Sequence, residues 1–481
     1  MSSDEQLVQL IEHYQKALLI NPHSDLIYHQ LAELYYQQGD LEKTLKNCQR
    51  ALQIKPDSEP ASKTLSKVFI RLGFITEEVQ GISRFFSNTS TLEEAFMAFG
   101  KIIEPLEDLN EKNDSETWKK SVILGCEFIK QKLWEEAFSS YFRAIELEPS
   151  LNFPHLIIQY LLLPEISDLD SVAELYFQAI QFSRVHCLAY TVLGDILTKQ
   201  NKLFEAVQAY KSAWLGAEYQ IYTKEHVVQQ RTSVDYLIIG IGKAGTSSLS
   251  HYLSQHPGII NPHKKEVLFF NKYFELGLDW YLAQFPPYSL KEKKFLTGEA
   301  TPWYLGTIGV ENRVFQAFPD VKLIAILRDP GARAISHYYM NLKMGLEQRS
   351  LEEAIADEIA VLGDAVSLTQ VSETYWKTER GYLWFSLYLP FLKKWMFLFP
   401  REQFLILNSE DLYNAPSKTL SRVFEFLNIS DCELISYPKL NLGSYSQVDH
   451  DLRKLLFDYF YVHNQKLEEY LGMEFGWNNT L

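Results

Sequence analysis

The chain has little cysteine, little surplus of positive charge and no long apolar run. Only four of its 481 residues are cysteine (Cys48, Cys126, Cys187 and Cys432), and no two form a CxxC pair. That scatter offers neither a zinc ligand set nor a disulfide framework, so no metal site is expected and a reducing, cytoplasmic setting is. Lysine and arginine number 46 against 61 aspartates and glutamates, a formal net charge of −15. Such a balance argues against nucleic acid or an anionic membrane surface as partner. Any anion site must then be a local cluster of basic groups inside an acidic protein. No stretch approaches the roughly 18 apolar residues needed to span a bilayer. The opening MSSDEQLVQL lacks the basic start and apolar core of a secretory signal. What the chain has in quantity is apolar and aromatic side chains, 46% and 14% of its residues, enough for two cores.

Helical periodicity dominates before about residue 225 and carries a repeat. In SDLIYHQLAELYYQQGDLEKTLKNCQRALQIKPDS, the positions of Tyr28, Leu31, Ala32, Tyr35, Gly39, Ala51 and Pro56 fall at the spacing of a tetratricopeptide unit. Pro56 follows Pro22 by 34 residues (56 − 22), the period of that repeat. A further copy carries Leu124, Gly125, Phe128, Ala137, Tyr141, Ala144 and Pro149, and another Leu193, Gly194, Ala206, Tyr210 and Ala213. Residues 57–115 fit the pattern poorly. Small residues at Ala32, Gly125 and Gly194 let paired helices approach, and each pair buries its apolar face by stacking on the next. The expectation is a helical repeat domain over 1–225 that offers a surface to a protein partner and carries no chemistry.

From about residue 230 short apolar runs alternate with helical stretches. VDYLIIG, VKLIAIL and QFLILNS read as buried strands, and TSSLSHYLSQHP and PSKTLSRVFEFLNI as helices. That order predicts an α/β domain over 230–481 built on a parallel sheet, with ligands beyond the carboxyl ends of the strands. The turn after the first strand, Gly240–Ser248, combines three glycines, Lys243 and the hydroxyls of Thr246, Ser247 and Ser248. Helix-start amides beside a mobile cation suit a phosphate or similar oxyanion. The nucleotide-triphosphatase loop GxxxxGK[ST] does not fit, because Ala244 and Gly245 separate Lys243 from Thr246. The dinucleotide fingerprint GxGxxG does not fit either.

The arrangement KxGT[ST]SL after an apolar strand resembles the sulfotransferases that use 3′-phosphoadenosine 5′-phosphosulfate, nearest the branch of the heparan sulfate N- and O-sulfotransferases. Two further segments agree. VKLIAILRDPGARAISHYYM resembles that family's strand–RxPxxRAxSxY motif, and HKKEVLFFNKYFELGLDWYLAQFP its KExxFF…GxxWYxxxFP segment. The resemblance covers about residues 233–477. It implies that Lys243, Ala244, Gly245, Thr246, Ser247 and Ser248 cradle the 5′-phosphosulfate, with Lys243 stabilising the leaving phosphate. It implies that Arg328 and Ser336 hold the 3′-phosphate, and that Glu266 is the general base on a hydroxyl or amine acceptor, with Lys264 and Lys265 beside it. Carbohydrate is the acceptor class it favours, and no metal is needed. GEATPWYL resembles the family's segment near the acceptor, with Ala300 where some members carry lysine. A KGxxY turn that closes over the nucleotide corresponds to Gly443, Ser444 and Tyr445, although Leu442 stands where its lysine is expected.

Alternatives stay open on the residues alone. His263 is a rival base, Arg328 could pair with Asp329, and Arg333 could serve structure instead of ligand. At the level of the whole chain the rivals are a P-loop kinase or nucleotide triphosphatase, and a repeat scaffold with an inactive second domain.

Overall fold

In a computed structural model of the chain the described residues are 24–38, 118–147, 153–182, 187–214, 228–289, 295–343, 345–363, 381–434 and 448–479. Single positions 10, 11, 14, 15, 18, 43, 44, 47, 51, 437 and 439 join them. They divide into two compact units, Met1–Val192 and Leu193–Leu481.

The first unit is helical. Its described helices are α1 (Asp25–Gln38), α2 (Trp118–Lys130), α3 (Trp134–Leu147), α4 (Phe153–Ile157, continued by a π-helical turn Ile158–Leu162) and α5 (Leu169–Phe182), followed by the start of α6 (Cys187–Lys199). Helix α1 buries Leu31, Leu34 and Tyr35 against Ile11. Helices α2 and α3 form a hairpin whose seam explains the glycine of the repeat pattern. A Cβ on Gly125 would stand 2.8 Å from the ring of Tyr141, so only hydrogen lets that ring lie flat on α2. The buried Tyr141 hydroxyl meets Cys126 Sγ at 3.0 Å.

The second unit begins with the same motif. The end of α6 and α7 (Leu203–Ala213) form a hairpin in which a Cβ on Gly194 would stand 2.5 Å from the Tyr210 ring. The compact units therefore divide ahead of the boundary near residues 225–230 that periodicity suggests. The reason is packing: Trp214, just after α7, donates Nε1–H to Ala283 O at 3.2 Å, and Trp280 donates to Thr198 Oγ1 at 2.9 Å.

The second unit holds a four-stranded parallel sheet in the order β4-β2-β5-β6, from β2 (Tyr236–Gly240), β4 (Gly298–Ala300), β5 (Lys322–Leu327) and β6 (Phe404–Asn408). A separate antiparallel pair joins β1 (Val228–Gln229) to β3 (Tyr288–Ser289). The three apolar runs expected as strands are β2, β5 and β6; β4, the sequence Gly-Glu-Ala, has no strand signature and forms by pairing with β2. Every residue of β2 and residues Leu323–Leu327 of β5 are buried. Helices α8 (Thr246–Ser254), α9 (Leu278–Ala283), α10 (Val310–Ala317), α11 (Pro330–Lys343), α12 (Leu351–Leu362), α13 (Tyr388–Leu398), α14 (Ser409–Asn414), α15 (Pro416–Leu427) and α16 (His450–Leu471) complete the described unit. Because β2, β5 and β6 run parallel, the turns into α8, α11 and α14 share one edge of the sheet.

Candidate active site

The turn from β2 to α8 is pinned from several sides. Ile241 N–H donates to Ile326 O on β5 at 2.9 Å, and Ala244 N–H donates to Ile241 O at 3.2 Å. Lys243 adopts φ 73° and Gly245 φ 105°. A side chain at Gly245 would add a clash to that left-handed backbone, since its Cβ would lie 2.9 Å from Tyr413 Oη. The carbonyls of the turn are taken by arginines: Arg328 Nη1 donates to Lys243 O at 3.1 Å and Arg333 Nη1 to Gly242 O at 3.3 Å. The first intrahelical bond of α8 is Leu249 N–H to Gly245 O. The amides of Gly245, Thr246, Ser247 and Ser248 are thus the ones the helix start leaves for a ligand. Ala244 contributes a buried methyl here, its amide being engaged within the turn.

The Lys243 ammonium has no hydrogen-bond or ion-pair partner among the described residues. Burial, and then the charges of Arg328, Arg333 and Lys265, push its ammonium down to about 8. A cation held in that way is stabilised by an arriving anion.

At the end of β5, Arg328 is half-buried and Ser336 lies buried on α11. Asp329 serves the start of α11, where its carboxylate accepts Ala332 N–H at 2.6 Å. Burial and the neighbouring Glu410 raise its pKa above the ordinary range. Arg333 is wholly buried and donates to Ser386 Oγ (2.7 Å), Tyr382 O (2.8 Å) and His337 Nδ1 (3.2 Å) besides Gly242 O. Four of the five N–H groups of its guanidinium are taken by protein, so it ties α11 and the 381–386 segment to the anion loop as a structural hub.

Glu266 is brought to this loop by its neighbour. Lys265 Nζ donates to Ser247 Oγ at 2.8 Å and to Glu266 Oε1 at 2.8 Å. The segment that carries Glu266 is held by Glu299 on β4, a residue that did not stand out in the sequence. Glu299 accepts Val267 N–H (3.0 Å), Tyr304 Oη–H (2.7 Å), Tyr281 Oη–H (3.1 Å) and the Thr301 hydroxyl. Burial raises its pKa to about 7. Thr301 Oγ1 also accepts Leu268 N–H at 3.2 Å, fixing Leu268 at φ 58°, a conformation non-glycine residues rarely adopt. The hint of Glu299 in the sequence is its place in GEATPWYL, the segment whose resemblance set it near the acceptor without giving the acid a role.

Two expectations are corrected. His263 is not placed to act as a base: it is half-buried, its Nε2 lies 3.1 Å from Tyr210 O, and its ring stacks on Trp214 at 4.1 Å. Burial pushes its pKa down to about 4. Lys264 does not flank Glu266, because it is paired with Asp195. Residues Gly443, Ser444 and Tyr445 lie outside the described residues.

A parallel sheet with a cation-lined βα turn, an arginine at the next strand end and a lysine-bridged glutamate opposite defines the class: residues 233–439 match the family described as sulfotransferase domain. Residues 26–58 match the tetratricopeptide repeat. The chain therefore carries a sulfotransferase domain behind a tetratricopeptide repeat. Among similar proteins, a membrane-associated sulfotransferase of Dictyostelium discoideum is 27% identical over 313 residues, spanning 51% of this chain and 66% of its own. Heparan sulfate glucosamine 3-O-sulfotransferase 5 of Mus musculus is 28% identical over 265 residues, 50% of this chain and 73% of its own. The solved structure of a sulfotransferase from Alicyclobacillus acidocaldarius is 27% identical, covers 51% of this chain and 99% of its own, and has a TM-score of 0.43. The matches thus span about half of this chain, and 66% of the Dictyostelium protein. Among the described residues no helix is long and apolar enough to cross a membrane.

Proposed function

We propose that the chain transfers the sulfuryl group of 3′-phosphoadenosine 5′-phosphosulfate to a hydroxyl or amine of a carbohydrate acceptor. The observation that carries this reading is the Ser247–Lys265–Glu266 bridge, which joins a carboxylate base to the anion loop through one lysine. The donor set fits the nucleotide: helix-start amides of Gly245–Ser248 and the ammonium of Lys243 for the 5′-phosphosulfate, Arg328 and Ser336 for the 3′-phosphate. When bound, the donor supplies a sulfuryl group already attached to a phosphate leaving group. Glu266 takes the acceptor's proton as its oxygen or nitrogen attacks sulfur. Lys243 and the loop amides stabilise the negative charge that gathers on the departing phosphate. Ala300 leaves the acceptor side without the extra cation that some members of the family carry.

Carbohydrate as acceptor is supported by relatives named for heparan sulfate. The net charge of −15 favours a glycan less anionic than heparan sulfate. The repeats support a protein partner for the first unit, and the scattered cysteines a cytoplasmic setting.

The test is a thermal-shift and turnover pair. Adenosine 3′,5′-bisphosphate stabilises the protein without magnesium and ATP does not. In the Glu266→Ala variant that stabilisation is kept while sulfuryl transfer, measured with labelled donor on a glycan panel, falls at least about 10²-fold. Near-normal transfer by the folded variant removes Glu266 from the base role. Stabilisation by ATP that needs magnesium favours the kinase or triphosphatase alternative.

A further inference from the structure

We infer that Asp195, on the last helical hairpin, is a positioning residue for Glu266 and acts through Lys264; the inference rests on the sulfotransferase reading above. The starting point is a difference between two repeats built alike. In each, a glycine faces a tyrosine sixteen positions later (Gly125 and Tyr141, Gly194 and Tyr210), and the residue after the glycine meets the tyrosine hydroxyl. In the first hairpin that residue is Cys126, and the contact closes inside the hairpin. In the second it is Asp195. Its Oδ1 accepts the Tyr210 hydroxyl and also the ammonium of Lys264, at 2.5 Å each. A position that serves only packing in one repeat has become, in the other, an acid that captures the residue two before Glu266.

The surroundings make this an anchor and not a surface ion pair. Asp195 and Lys264 side chains are 11% and 21% exposed, and the ammonium lies 5.9 Å from the centre of the Tyr210 ring. His263, next to Lys264, is clamped by the Trp214 ring and by Tyr210 O. Trp280 packs edge-on against Tyr210 and bonds Thr198. Exposed ion pairs contribute little because water screens them and their side chains must be ordered; here the aromatic wall covers most of the pair and orders the stem.

Glu266 therefore sits between two anchors. Upstream, Lys264 is fixed to Asp195; downstream, Val267 N–H is fixed to Glu299. Only Lys265 lies between the upstream anchor and the base; its carbonyl accepts Ala300 N–H at 3.0 Å and its ammonium reaches the loop at Ser247. Capture of Lys264 by Asp195 also leaves Lys265 as the cation beside Glu266. Without the carboxylate on Asp195, the segment keeps its downstream anchor and the clamp on His263 and loses the hold on Lys264, the side-chain anchor nearest Glu266 on the upstream side. A shift on the order of 1 Å in a base can cost about 10²-fold in turnover.

The experiment uses the full chain. Asp195→Asn keeps the volume and an acceptor for Tyr210 while removing the charge that holds Lys264. Lys264→Met removes the same pair from the other end, and serves should Asp195→Asn fail to fold. The expected result in either variant is a kcat lower by about 10-fold or more, with the donor KM within about two-fold of the parent. The double variant should be no slower than the slower single, because both changes cut one interaction. Hydrogen exchange supplies a readout independent of turnover: protection is lost over residues 263–266 and kept over residues 241–248.

Unchanged kcat in a folded variant, a multiplicative loss in the double variant, or unchanged exchange over 263–266 overturns the inference. So does a parallel rise in the donor KM, which signals general loosening of the domain. Absence of sulfuryl transfer by the parent protein sinks the sulfotransferase reading instead, and the exchange comparison still decides whether Asp195 anchors the segment.

Discussion

The affinity for the nucleotide should depend on pH in a way that one side chain dictates. Lys243 has its pKa pushed down to about 8 by burial and by the charges of Arg328, Arg333 and Lys265. A phosphate beside it favours the charged ammonium, so the pKa in the complex lies above that of the free protein, and binding takes up a proton wherever the free lysine is neutral. Affinity is then nearly flat below pH 8 and falls as pH rises above it. With a free pKa of about 8 and a bound value well above about 9.5, the neutral fraction rises enough between about pH 7.5 and about pH 9.5 to weaken binding ~25-fold, or ~1.9 kcal/mol. The phosphates of the ligand do not contribute, since their last protons leave near about pH 6. The assay is calorimetric titration with adenosine 3′,5′-bisphosphate, without magnesium, at several pH values across that interval. Lys243→Arg, whose guanidinium stays charged throughout, should bind with a flat profile. A parent affinity that changes by less than about 3-fold over the interval, or a Lys243→Arg profile that falls in parallel with it, refutes the assignment of Lys243 to the phosphate.

Arg328→Ala should raise the donor KM by about 10-fold to 100-fold, the scale of a lost charge-assisted bond, with a much smaller change in kcat. An unchanged KM in steady-state assays takes Arg328 out of the phosphate site. Arg333→Met should lower stability by about 2–4 kcal/mol, because it strips buried Gly242 O and Ser386 Oγ of the arginine donor and leaves Tyr382 O with the Ser386 hydroxyl alone. An unchanged midpoint in chemical denaturation would show that the hub is dispensable.

Where the sequence could be read, the reason is local physics. Strands β2, β5 and β6 are buried on every side or nearly so, and burial of that kind writes itself as unbroken apolar runs. The turn after β2 was legible because helix-start amides, glycines and a lysine leave a compositional trace. The glycines of the repeats were legible because a ring lies on each seam. Strand β4 was not legible: three residues have no periodicity, and its existence depends on β2 beside it. Glu299 and Asp195 were missed for a related reason. Each acts on residues far along the chain, Glu299 on Val267 and Asp195 on Lys264, and nothing local to either marks the partner. The role of Lys264 went astray in the same way, since proximity in sequence to Glu266 was the only guide and the helical hairpin that claims its side chain comes from more than fifty residues upstream.

How a chain of net charge −15 keeps a positive pocket follows from what the cations touch. Arg328 and Arg333 donate to backbone carbonyls of the anion loop, which orient them without cancelling their charge. Among the described residues Lys265 is the cation of the pocket that forms an ion pair, with Glu266. Two nearby acids are buried and satisfied by neutral donors: Glu299 by hydroxyls and an amide, and Glu358 by the amides of Leu383 and Trp384. Burial raises the pKa of each to about 7, so near neutral pH each carries only part of a negative charge. The local field at the loop is therefore set by Lys243, Arg328, Arg333 and Lys265 against the carboxylates of Glu266, Asp329 and Glu410, and the rest of the acidic surplus reaches it through solvent, where salt screens it beyond roughly 8 Å.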